Sequence, residues 1–221
     1  MNRLFSLAEQ ELLGELLVRR RDVRGNNFLP TTIPETHISK ILEAAVAAPS
    51  VGLSQPWEFV LIQDKKIKNE IYNNFLTENE IAKSKFSEEK KERYSKLKLE
   101  GILEAPLDIA VFYKPPIKPT VGNNSMPETG EYSVVCAIQN MWLMARALNI
   151  GLGWVSIVNP KVIKETLRVP KDIKLIAYLC LGYVKQFHET PELEILKWEK
   201  RRNMSSFIHY NCYLESENSQ Q

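Results

Sequence analysis

Leu12, Leu13, Leu16 and Leu17 recur at helical spacing with Glu9, Glu11 and Glu15 among them, and the pattern stops near Arg19. This predicts an amphipathic helix with a basic run at its C-terminal end. A second helix is expected with Pro34 in its first turn and Ile38, Ile41, Leu42, Ala45 and Ala48 on one apolar face, until Pro49 ends it. Residues 57–62 are aromatic and β-branched and predict a strand. Residues 65–100 then turn charged, with Glu89 and Arg93, and Glu92 and Lys96, spaced as helix-stabilising pairs. The segment reads as a solvated helical excursion, and its functional alternative is a lid over a pocket.

Residues 107–113 form a continuous apolar run suited to a buried strand, followed by a Pro- and Gly-rich loop over 114–130. Val134, Ile138, Met141, Ala145 and Leu148 make 131–150 the central core helix. A strand is expected at 153–158, then Asn159 as an N-cap with Pro160 at the first helical position, a short helix over 161–168, and a buried strand over 173–184. Strands separated by helices predict an α+β fold, a mixed sheet flanked by helices. No internal repeat or linker divides the chain. A single domain over 1–214 is expected, with a disordered polar tail over 215–221.

Composition changes this picture little. The 221 residues are 44% hydrophobic and 25% charged, with a net charge of +2, as in an ordinary soluble domain, and give no electrostatic case for nucleic acid. No uncharged apolar run approaches the roughly 18 residues of a membrane span, and the acidic N-terminal helix does not resemble a secretory signal. A cytoplasmic protein is expected. Cys136, Cys180 and Cys212 are odd in number and widely spaced, and are read as structural thiols of a reducing compartment. The scattered His37, His188 and His209 form no metal spacing with them. Glycine fingerprints for dinucleotides, Walker lysine loops and nucleophile elbows are absent.

Three segments carry candidate chemistry. Arg19-Arg20-Arg21-Asp22-Val23-Arg24 offers planar guanidiniums that suit phosphate, and reads equally as solvated charge. In the loop from Pro49 to Trp57, Ser50 supplies a hydroxyl and Gln55 an amide able to read the edge of a flat heterocycle, although a turn without a ligand explains the same residues. In Gly151-Leu152-Gly153-Trp154-Val155-Ser156 the glycines permit close approach of a ligand and Ser156 adds a hydroxyl.

In this order, and with Glu100-Gly101-Ile102, Glu104-Ala105-Pro106, Gln139-Asn140, Pro191-Glu192, Trp198 and Arg201, these segments resemble the nitroreductase-like flavoproteins and, within them, the 5,6-dimethylbenzimidazole synthases. The resemblance covers nearly the whole chain. It implies an intertwined homodimer with FMN at the subunit interface. It places Arg19, Arg20, Arg21 and Arg201 around the flavin phosphate and ribityl chain, with Val23 in the same cofactor-binding run. Ser50 and Gln55 would lie at the ring and Gly153 on its N5 side. It further implies that reduced FMN is consumed with O2 to give 5,6-dimethylbenzimidazole, the lower ligand of vitamin B12, with erythrose 4-phosphate, and that Asp22 and Ser156 are the catalytic pair. A separate flavin reductase is an expected partner. Lys114-Pro115-Pro116, and Lys197 and Glu199 around Trp198, depart from the family pattern. The alternative is an NAD(P)H-dependent FMN reductase of nitroaromatics or quinones, or a dehalogenase, since one fold hosts several chemistries. A non-catalytic flavin-binding protein is the third reading.

Overall fold

Side chains of a strand point alternately to its two faces, and the fold is built on that alternation. Four strands, β1 (Trp57–Ile62), β2 (Leu107–Tyr113), β3 (Ile150–Val155) and β4 (Lys174–Tyr183), form one sheet in a computed structural model that describes residues 3–213. The order is β1-β2-β4-β3 and every neighbouring pair is antiparallel. Among the described residues the sheet is mixed only through the isolated parallel bridge between Asp22 and Leu152.

From β2, Leu107, Ile109 and Val111 enter one core layer, joined by Leu179 and Leu181 of β4. Helices α2 (Glu35–Val46) and α5 (Thr129–Ala147) close that layer with Ile38, Ile41, Ala45, Val134, Ile138 and Met141. Ala110, Phe112, Tyr178 and Cys180 belong to the second layer, which α3 (Lys65–Ser84) and α6 (Pro160–Thr166) cover with Ile71, Phe75 and Ile163. This is an α+β architecture with helices on both faces of the sheet.

The strand expected at 153–158 starts three residues earlier. Asn149, with φ +57°, turns the chain at the end of α5, so that Ile150 already pairs with Tyr183, and pairing ends where Val155 meets Tyr178. Residues 156–158 have left the sheet before Asn159 caps α6, its side chain accepting from the Lys161 N–H at 3.0 Å. The charged excursion folds as α3 and α4 (Glu88–Tyr94), with Glu92 and Lys96 paired at 2.9 Å. Cys180 is packed in β4, but Cys136 and Cys212 are exposed thiols, which corrects the expectation of three structural cysteines. Cys136 sits on a helix whose apolar stripe does not include it.

Helix α1 (Leu7–Arg19) starts with a capping box between Ser6 and Glu9, yet buries none of its residues. Leu12 and Leu13 are more than half exposed, at 58% and 54%. The described residues fall into two compact units, one ending at Glu189 and one starting at Thr190. The second unit contains α7 (Glu192–Ile195) and a 3-10 turn at Met204–Phe207, and its residues 201–213 are all exposed. The tail expected at 215–221 lies outside the described residues. No helix among them is long and apolar enough to cross a membrane.

Candidate active site

The chain leaves α1 in an extended conformation at Arg20 and runs along the free edge of β3. The Val23 N–H donates to the Leu152 carbonyl at 3.1 Å, and the Gly25 N–H to the Glu100 carbonyl at 2.8 Å. A Cβ on Gly153 would overlap the Val23 carbonyl oxygen, and one on Gly151 would overlap Val184 and Val23. The close approach that Gly153 allows is therefore made by the chain's own backbone, in the segment that carries Asp22, whereas Gly151 makes room for the Val184 and Val23 side chains.

Asp22 accepts the Trp154 N–H through Oδ1 at 3.0 Å and pairs through Oδ2 with the Arg24 guanidinium. Arg24 in turn donates through Nη1 to the Trp154 carbonyl at 3.1 Å. Ser156 follows two residues beyond Trp154, exposed at the end of β3. Two residues far apart in sequence and expected to act together thus stand at the same end of one strand.

The three preceding arginines engage different partners. Arg19 pairs with Glu15 at 2.7 Å, while its carbonyl accepts from Arg146 Nε at 3.3 Å. The Arg20 guanidinium lies 4.6 Å from the centre of the Trp142 ring, a cation–π stack. The Trp142 indole donates to the Arg21 carbonyl at 3.1 Å, and its ring lies 6.5 Å from that of Trp154. Arg21 donates to the carbonyls of Val18 at 2.6 Å and Arg20 at 2.7 Å and also to that of Glu189, so it closes the C-terminal end of α1. A pocket of about 500 Å³ is lined by Arg19, Arg21, Arg146 and His188, together with Glu15 and Glu189. Arg146 was not among the expected residues. Burial, then the charge of Arg19, hold its guanidinium below the usual arginine pKa. A basic residue in the last turn of α5 is the one trace it leaves in sequence.

The loop between α2 and β1 is held in a conformation that side chains rarely adopt, with φ of +53° at Gly52, +52° at Leu53 and +45° at Gln55. Ser50 Oγ accepts the Gln55 N–H at 3.1 Å, and the Val51 N–H donates to Ser133 Oγ at 3.1 Å. The Gln55 side chain is left exposed, and the enclosed Ser54 hydroxyl has no hydrogen-bond partner among the described residues. This loop meets α5 at Ser133 and the arginine run meets it at Trp142, on the order of 13 Å farther along the helix axis. Arg201 belongs to the second unit and is exposed.

The sequence model of the nitroreductase family matches residues 17–183. The chain belongs to that family. A 5,6-dimethylbenzimidazole synthase of Rhodospirillum rubrum is 42% identical over 90% of this chain and 94% of its own length. Iodotyrosine deiodinase 1 of Rattus norvegicus is 30% identical over 81% of this chain and 65% of its own length. Among solved structures, an oxidised iodotyrosine deiodinase bound to FMN and 3-iodo-L-tyrosine superposes with a TM-score of 0.72 at 20% identity, covering 91% of this chain and all of that one. The nitroreductase fold here is thus the sheet and helices of the first unit, with the arginine run laid against the β3 edge.

Proposed function

We propose that this nitroreductase-family chain is a 5,6-dimethylbenzimidazole synthase, which consumes reduced FMN and O2 and releases 5,6-dimethylbenzimidazole and erythrose 4-phosphate. The observation that carries the reading is the 42% identity over nearly the full length to the Rhodospirillum rubrum synthase. The joining of Asp22 and the Ser156 strand end through Trp154 supports it.

The residues present suit an FMN molecule. The Arg19, Arg21 and Arg146 guanidiniums line one pocket at the end of α1 and match a phosphate, and the strained loop presents the exposed Gln55 amide, able to bond polar ring atoms. Arg19, Arg20 and Arg21 would hold the phosphate and ribityl end, Ser50 and Gln55 the ring, and the backbone at Val23 and Gly153 its flank. When bound, the reduced flavin supplies both the electrons taken by oxygen and the carbon skeleton of the product. Asp22 would hold or accept a proton beside the ring, aimed by its bonds to Trp154 and Arg24, and the Ser156 hydroxyl would orient the reacting groups from the strand end.

Because the loop and the arginine run meet α5 so far apart, the two halves of the flavin site are proposed to come from two chains of an intertwined homodimer. Cytoplasmic location, and a separate reductase as the source of reduced flavin, belong to the same reading. Incubation in air with chemically reduced FMN is expected to yield 5,6-dimethylbenzimidazole by mass spectrometry. Reoxidised flavin without that product would overturn the proposal. A second reading, NAD(P)H-driven reduction or dehalogenation, draws on the likeness to the rat deiodinase. Rapid bleaching of bound flavin by NAD(P)H alone would favour it.

A further inference from the structure

A strand edge exposes backbone N–H and C=O groups that a neighbouring strand ordinarily satisfies. Along the outer edge of β3, Leu152 is satisfied in that way, since its carbonyl accepts the Val23 N–H at 3.1 Å. Two residues on, Trp154 presents its groups to the same edge, and side chains take the place of a strand. Asp22 Oδ1 accepts the Trp154 N–H at 3.0 Å, and Arg24 Nη1 donates to the Trp154 carbonyl at 3.1 Å. The second arm of the guanidinium closes on Asp22 Oδ2. The ring so formed is partly enclosed, with the Arg24 side chain 16% and the Asp22 side chain 35% exposed.

We propose that Arg24 is a positioning residue: by bonding the Trp154 carbonyl and the Asp22 carboxylate at once, it holds Asp22 in register with the end of β3 from which Ser156 emerges. The planar fork of an arginine can serve two acceptors in fixed directions. A lysine keeps the charge but offers a point donor, and a glutamine can reach one acceptor without charge. The catalytic consequence rests on the flavin-fragmenting reading. The structural consequence, protection of the Trp154 amide, does not.

Two measurements on the full-length chain therefore test the proposal, using Arg24→Gln and Arg24→Lys. In single turnovers with reduced FMN and air, Arg24→Gln is expected to form 5,6-dimethylbenzimidazole at least tenfold more slowly and with an altered pH profile. Its affinity for oxidised FMN, read by flavin fluorescence, should change less than threefold. Arg24→Lys should recover part of the rate. Hydrogen exchange at the Trp154 amide, followed without flavin, should quicken at least tenfold in Arg24→Gln and less in Arg24→Lys. An unchanged rate in Arg24→Gln, or a loss of rate matched by an equal loss of FMN affinity, overturns the positioning role. If the unmodified chain forms no benzimidazole, the proposed function fails. The exchange result then decides the clamp alone, and unchanged exchange rejects it.

Discussion

Ser156 stands one residue beyond the last paired residue of β3, exposed to solvent. A hydroxyl in such a place that only satisfies a neighbouring backbone group contributes at most about 1 kcal/mol. A hydroxyl that acts on the reacting groups makes its contribution mainly in the transition state. Ser156→Ala is therefore expected to keep its melting temperature and to bind FMN within a few-fold of the parent, while single-turnover formation of 5,6-dimethylbenzimidazole falls by at least about tenfold. Full product yield from this variant would remove the serine from the mechanism. Gly153 poses the opposite case, because its place is set by packing. A methyl group there runs into the Val23 carbonyl, so Gly153→Ala should lower unfolding free energy by about 1–3 kcal/mol in urea titrations as the Asp22 segment is pushed off the β3 edge. Unchanged stability would mean that the segment can yield at no cost.

At the scale of the element, β2 carries a carboxylate where its alternation calls for an apolar side chain. Asp108 lies fully buried, accepts the Tyr178 hydroxyl at 2.8 Å, and has Lys68 Nζ at 3.4 Å and Cys180 opposite it in β4. Burial pushes this carboxyl up to about 7 from an ordinary 3.8, against the pull of Lys68, and the thiol of Cys180 is likewise raised by burial. The unfolded chain loses the Asp108 proton near pH 3.8, whereas the folded chain keeps it until about pH 7. In that window the folded state binds more protons, so the Asp108 contribution makes stability fall as pH rises from about 4 to about 7 and then level off. Asp108→Asn, similar in shape and still able to accept from Tyr178, should flatten that part of the melting-temperature profile. An identical profile in parent and variant would contradict the assignment. In α6, the Asn159 side chain satisfies the Lys161 N–H at the helix start, so Asn159→Ala should cost about 1 kcal/mol in the same denaturation assay.

At the scale of the whole molecule, the pattern that predicted α1 and the burial it receives do not agree within one chain. The helix buries none of its leucines, and on α5 Tyr132 and Val135 remain 54% and 41% exposed. Apolar surface of this extent is expected to be covered by a second copy, as in large core-like interfaces. Light scattering should report about twice the 25.5 kDa chain mass at low micromolar concentration. A stable monomer that still holds FMN would contradict the shared site.

Local periodicity alone determined where most elements lie. β1, β2, α2 and α5 stand within a few residues of where apolar spacing put them, because the period of two or 3.6 is a property of the segment itself. The candidate segments around Asp22, Ser50 and Ser156 were also legible, since a cluster of arginines or a hydroxyl beside glycines is visible without coordinates. What the sequence could not show was which groups meet. The start of β3 at Ile150 was decided by its register with β4, and Gly153 by the passage of Val23 across it. The engagement of Arg21 with the Glu189 carbonyl, the placing of Arg146 beside Arg19, and the Asp22–Arg24 ring on Trp154 all join residues from separate segments. Such contacts carry no local period, so they arise only when the tertiary fold brings distant parts of the chain together.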